Sequence, residues 1–135
     1  MAIDWGHKRF GLAFGNEESG LILPAAKPCY TKSIWDMLAA EIQARNIQKI
    51  VVGLPSNFHG GDTIVTTQIR DFLVQLHVRF PQQTIYTINE RGSSQQAKAS
   101  LQGFGDNHSI NHLAAVDILE RWVERNEKKQ PKTGS

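Results

Sequence analysis

The apolar positions of this chain change period along its length, and the change divides it into short strands followed by longer helices. "AI" leads into Asp4, and Gly6 allows a turn back into "RFGLAFG", where Phe10, Leu12 and Phe14 alternate onto one face. A β-hairpin is the economical connection between the two. "GLILPAAKPCYT" is extended, and Pro24 and Pro28 confine a strand there to a sheet edge. The period then lengthens. Ser33 is placed to cap a helix through "IWDMLAAEIQARN", with Ile34, Leu38 and Ile42 on one face. "KIVVGLP" is a near-continuous β-branched run, the pattern of a buried parallel strand. After the loop "SNFHGGD", a helix is expected from Asp62 or Thr63 to Phe80, burying Ile69, Phe72, Leu73 and Leu76, with Pro81 ending it. "TIYTI" is a further strand and "SSQQAKASLQ" a short helix with Ser93 as its cap. The last helix is expected over about 109–126, its apolar surface built from Ile110, Leu113, Ala114, Val116, Ile118, Leu119, Trp122 and Val123.

Antiparallel strands first and crossover units afterwards predict an α/β mixed sheet covered by helices. No linker or repeat divides the chain, so a single domain is expected over 1–126, followed by a polar, disordered tail over 127–135. A length of 135 residues suits one hydrophobic core. The net charge of +2 permits a nucleic-acid partner without demanding one. One cysteine, Cys29, excludes an internal disulfide, and no Cys/His spacing resembles a zinc site. No apolar run approaches the roughly 18 residues that span a bilayer. No membrane association is expected, and the cytoplasm is the expected compartment.

Parallel strands end on one edge of a sheet, and the loops there build sites. Asp4, "GLPSN" and "NER" all follow predicted strands, so Asp4 and Glu90 converge from distant parts of the chain. Carboxylates so placed suit a hard divalent cation. Alone, Asp4 is as well explained by a turn cap and Glu90 by a surface ion pair. His7, Lys8 and Arg9 form a basic turn beside Asp4, suited to phosphate contacts or simply solvated. Ser56 and Asn57 are candidates to bind phosphate or to order their loop, and Arg91 is a further phosphate candidate. Asp106 and His108 lie in the loop expected before the last helix and are within reach of the same edge.

Four blocks, "AIDWGHKRFGLAF", "IVVGLPSNFHG", "NERGSSQQAKASL" and "INHLAAVDILERW", occur in the order and spacing of the YqgF/RuvX family. The chain resembles that family from Asp4 to about Trp122. The resemblance implies an RNase H-like fold, a five-stranded mixed sheet flanked by helices. It also implies a nuclease that matures pre-16S rRNA or resolves Holliday junctions, with precursor rRNA or branched DNA as partner. The family's acidic pattern matches Asp4 and Glu90, which the resemblance assigns as catalytic residues and ligands of Mg²⁺ or Mn²⁺. Two further acidic positions are amides here, Asn89 and Asn111. An amide oxygen still ligates but brings no charge, so weaker metal binding is expected. Asp117 is a poor replacement for an acid at Asn111, because six residues turn about 120° around a helix. The alternative implied is a weakened or inactive member that binds nucleic acid or a protein. A resolvase would also need a homodimer to cut two strands. "DWGHKRFG" is similar to the phosphate hairpin of sugar kinases and actin-like proteins too, but those folds need a second domain for which 135 residues leave no room.

Overall fold

A computed structural model describes residues 1–55, 64–89 and 107–129, with side chains of the last helix described over 110–126. The strands are β1 (Ala2–Asp4), β2 (Gly11–Gly15), β3 (Ile22–Pro24), β4 (Lys49–Leu54) and β5 (Thr84–Asn89). The helices are α1 (Ile34–Arg45), α2 (Ile64–Arg79) and α3 (Asn107–Lys129). The strands form one sheet in the order β3-β2-β1-β4-β5. β1–β2 and β2–β3 are antiparallel, whereas β1–β4 and β4–β5 are parallel. This is the mixed sheet expected from the sequence, with the Pro24 strand at an edge.

Strand alternation sorts the side chains onto two faces. Ile3, Phe10, Leu12, Phe14, Ile50 and Val52 point to one face, where they meet Ile34 and Leu38 of α1 and Phe72 and Leu76 of α2. Trp35 stacks on Phe72 there, with ring centroids 5.4 Å apart. Ala2, Ala13, Val51 and Ile88 point to the other face and meet Ala115, Ile118 and Leu119 of α3. Tyr86 and Trp122 close that layer at 5.1 Å.

Several boundaries differ from the sequence reading for local reasons. β2 begins at Gly11 because Arg9 and Phe10 leave β1 and pair with the chain after β3. Arg9 forms a bridge with Tyr30, and Phe10 N–H donates to Cys29 O at 3.0 Å. Ser33 occupies the N-cap position of α1, but its side chain makes no capping bond, since a short 3₁₀ turn over Thr31–Ser33 leads into the helix. α1 ends at Asn46, whose φ of 54° is the left-handed conformation that Asn tolerates. α3 starts earlier and runs further than expected, taking in residues 127–129 of the predicted tail. The helix expected in "SSQQAKASLQ", the start of α2 at Asp62 or Thr63, and the tail over 130–135 lie outside the described residues.

Candidate active site at the end of the central strand

The C-terminal ends of β1, β4 and β5 and the N-terminal end of β2 lie along one edge of the sheet. Asp4 is the last residue of β1 and only 6% exposed. It shares the parity of Ala2, so its side chain leaves the sheet on the α3 face. Its cross-strand partner is Gly11, and directly opposed antiparallel residues point to the same face. A Cβ on Gly11 would collide with the backbone carbonyl of Asn111. Glycine at this position therefore lets the first described turns of α3 touch the sheet beside Asp4. That close approach brings the half-buried Asn111 to the edge and face on which Asp4 lies.

Asn89 is not brought to the same place. It is the last residue of β5 and pairs with Leu54, which packs against Ile69 of α2. Alternation directs Asn89 to that side of the sheet, while its neighbour Ile88 lies on the α3 face. Glu90, Arg91, Ser56 and Asn57 lie outside the described residues. His108, expected in a loop, falls in the first turn of α3, and Asp106 lies outside the described residues. Asp117 pairs with Arg121 at 3.2 Å along α3, a surface role in keeping with its poor angle for the site. Among the described residues no three His, Cys, Asp or Glu side chains gather to hold a metal ion. Asp4 supplies one hard oxygen donor group, and the amide oxygen of Asn111 is a second, uncharged donor type of the same hardness.

The basic turn between β1 and β2 is held in place by the chain after β3. Thr31 donates twice, from its N–H to Lys8 O (3.0 Å) and from Oγ1 to Gly6 O (2.7 Å). Within the turn, a Cβ on Gly6 would collide with Arg9 O, so the tight path also needs glycine there. Lys8 and His7 are exposed, and Gln68 of α2 lies 3.3 Å from His7 Nδ1. The Arg9 guanidinium sits over the Tyr30 ring, 5.8 Å from its centroid.

His112 has a structural task that the sequence reading did not assign. β2 and the chain after β3 are joined at two points, by Ala25 N–H to Leu12 O (2.9 Å) and Phe10 N–H to Cys29 O (3.0 Å). Between them, five residues of one chain face three of the other, so direct pairing fails and Leu12 N–H faces the gap. His112 Nδ1 accepts from that N–H at 3.0 Å, and Nε2 lies 2.7 Å from Lys27 O. A backbone N–H only donates and a carbonyl only accepts, so the ring is neutral with its proton on Nε2. The imidazole thus pins α3 to β2 one residue after Asn111. The signal was present in the sequence, because His112, Ala115 and Leu119 share one helical stripe.

A family model described as "RuvX: Holliday junction resolvase" matches residues 1–125. The chain belongs to the RuvX family. The five-stranded mixed sheet with its helices is the family's RNase H-like fold. Among curated relatives, a protein of Proteus mirabilis is 37% identical over 132 residues, covering 93% of this chain and 94% of that protein. One of Alcanivorax borkumensis is 35% identical over 122 residues, covering 89% and 91%. One of Bordetella avium is 31% identical over 136 residues, covering 93% and 94%. All three carry the name "Putative pre-16S rRNA nuclease". Among the described residues, no helix is long and apolar enough to cross a membrane.

Proposed function

We propose that this protein is a metal-dependent endonuclease that hydrolyses phosphodiester bonds in structured nucleic acid, with precursor 16S rRNA as its substrate. The observation that carries the reading is Asp4, a buried carboxylate at the end of the central strand on the face where Asn111 packs. The names of the relatives supply the substrate. Asp4 and Glu90 would hold Mg²⁺ or Mn²⁺, with Asn111 as an uncharged neighbour. A bound ion supplies Lewis acidity and a water acidified towards neutral pH. The residues of the chain do the rest. Lys8, Arg9, Arg91, Ser56 and Asn57 hold phosphates of the strand in register. Asp4 and Glu90 would set where an ion sits at the sheet edge, and the phosphate contacts orient the strand there for in-line attack of water on phosphorus. On this reading residues 1–126 act as a single domain in the cytoplasm.

One residue favours a second reading. Asn111 stands where the family pattern has an acid, and one fewer negative charge weakens the hold on a divalent cation. The same fold would then bind nucleic acid or a protein partner with little or no cleavage. Cleavage of end-labelled precursor RNA in Mn²⁺ separates the two. The nuclease reading predicts wild-type cleavage that falls at least about a hundredfold in Asp4→Asn. Binding without cleavage in either protein supports the second reading. A four-way DNA junction tested beside the RNA reads out the resolvase activity in the family description.

A further inference from the structure

Residues 25–31 form a strap along the site's edge whose fastening the nuclease reading does not use. His112 Nε2 holds Lys27 O, Phe10 N–H holds Cys29 O, and Thr31 makes its two bonds to the basic turn. Tyr30 lies between two of these anchors, at residues 29 and 31, so its backbone is fixed relative to the end of β1. The residue is 45% exposed and belongs to none of the apolar layers of the sheet. An aromatic side chain held on a fixed backbone and presented to solvent contributes little to the core. It does offer a π-face.

The turn and the strap themselves carry only basic charge, with Asp4 before the turn, Asp36 after the strap and Glu41 close enough to act on the Cys29 thiol. The turn and the strap lie within residues 5–15 and 24–35, which contain Lys8, Arg9, Lys27, Lys32 and His7 and no Asp or Glu. By contrast, Arg45, Lys49 and Arg121 pair with Glu41, Glu17 and Asp117. Among the described residues, Lys8, Arg9, Lys27 and Lys32 have no acidic partner within ion-pair distance. Unpaired cations around an exposed, fixed aromatic ring are complementary to a strand of phosphates that carries an accessible base.

We propose that Tyr30 is a base-stacking platform that selects an unpaired nucleotide next to the scissile phosphate, with Arg9, Lys8, Lys27 and Lys32 holding the flanking phosphates. The inference rests on the nuclease reading for its scissile phosphate and adds a specificity determinant to it. Arg9 already lies over the Tyr30 ring, and a guanidinium there also reaches an adjacent phosphate while it steadies the ring. A base inside an A-form duplex is stacked on its neighbours and cannot offer its face to Tyr30. The platform therefore discriminates single strands, bulges and frayed ends from continuous helix. Cleavage would fall at the unpaired margin of a folded RNA.

Binding by fluorescence anisotropy in EDTA, where cleavage is off, tests this directly. The probes are a labelled 12-nucleotide single-stranded RNA and a blunt-ended, fully paired RNA duplex. Tyr30→Ala is expected to weaken single-strand binding roughly 5- to 100-fold while duplex binding stays within about twofold. Tyr30→Phe keeps the ring and binds like wild type, and Tyr30→Leu, apolar but without a π-face, binds like Tyr30→Ala. Lys8→Gln, Lys27→Gln and Lys32→Gln each reduce the steepness of the salt dependence by up to about one phosphate contact, on both probes. Thermal melting of each variant shows that the fold is kept. Equal binding by Tyr30→Ala and wild type, an equal loss on both probes, or wild-type affinity in Tyr30→Leu overturns the proposal. Cleavage in Mn²⁺ separates the two readings. If wild type binds single strands through Tyr30 but cuts nothing, the nuclease reading fails and the platform stands. If wild type cuts and Tyr30→Ala binds and cuts equally well, the platform fails and the nuclease reading stands.

Discussion

The two faces of the sheet are built from side chains of different size, and the difference separates stability from placement. On the α1/α2 face the strands present Ile3, Phe10, Leu12, Phe14, Ile50 and Val52, and the helices add Leu38, Phe72 and Leu76. Large side chains there bury much apolar area, and hydrophobic stabilisation scales with that area. On the α3 face β4 and β5 add Val51 and Ile88, but β1 and β2, the strands beside Asp4, present only Ala2, Gly11, Ala13 and Gly15. These residues bury less but let the helix come closer. A Cβ on Gly11 meets the Asn111 backbone, and one on Gly15 would lie 3.0 Å from the Leu119 side chain. One face holds the molecule together, and the other sets where Asp4 and Asn111 sit.

The largest effect that tests this contrast is on stability. Phe72→Ala empties part of the large-residue face and is expected to cost about 3–5 kcal/mol by urea unfolding. Cleavage per folded molecule should stay near wild type. Gly11→Ala pushes α3 off the sheet and is expected to cost less, about 1–3 kcal/mol, yet to remove most cleavage per folded molecule. The contrast breaks if Phe72→Ala lowers specific activity as much as Gly11→Ala does.

His112→Ala sharpens the comparison on the α3 side. It leaves Leu12 N–H and Lys27 O without the imidazole that joins them, at a cost of about 1–3 kcal/mol. The destabilisation should come with a loss of cleavage, because α3 is then released one residue from Asn111. Loss of stability alone would reduce His112 to a core filler.

The smallest effect lies on the α1/α2 face, at Cys29. The thiol is buried, and burial, with Glu41 adding a smaller push, raises its pKa from 9.0 to about 11. A group whose folded pKa is raised stabilises the fold below its unfolded pKa. That contribution is lost as pH climbs from about 9 through 11. Native protein should resist thiol reagents at pH 8 and react fully in denaturant. Prompt labelling of native protein would show that this face opens readily.

The order of elements, the mixed sheet and the α1/α2 core were legible in the sequence, because period and burial carry the same information there. Phe10, Leu12 and Phe14 announced their face by alternation, and Ile69, Phe72 and Leu76 by helical spacing. What could not be read was how non-neighbouring segments meet. The strap's attachment to the β1–β2 turn depends on backbone bonds such as Thr31 to Lys8, which leave no trace in hydropathy. Asn89 was a candidate because the resemblance puts a family acid at that position, but strand parity, fixed by the pairing with Leu54, sends it to the other face. Gly11 looked like any strand glycine until α3 was seen against it. Asp4 drew notice as an acid ending an apolar strand, a feature that a turn cap explains as well, and it was the resemblance of the surrounding block to the family that marked it as a candidate.

The most direct test of the α3 face as the reaction site is a Mn²⁺ titration of single-turnover RNA cleavage for wild type and Asn111→Asp. With Asn111 packed on the face where Asp4 lies, a carboxylate there should lower the half-saturating Mn²⁺ concentration roughly tenfold or more, with the rate rising at limiting metal. Identical titrations for the two proteins, with Asn111→Asp fully folded, would contradict the claim that position 111 shares a metal site with Asp4.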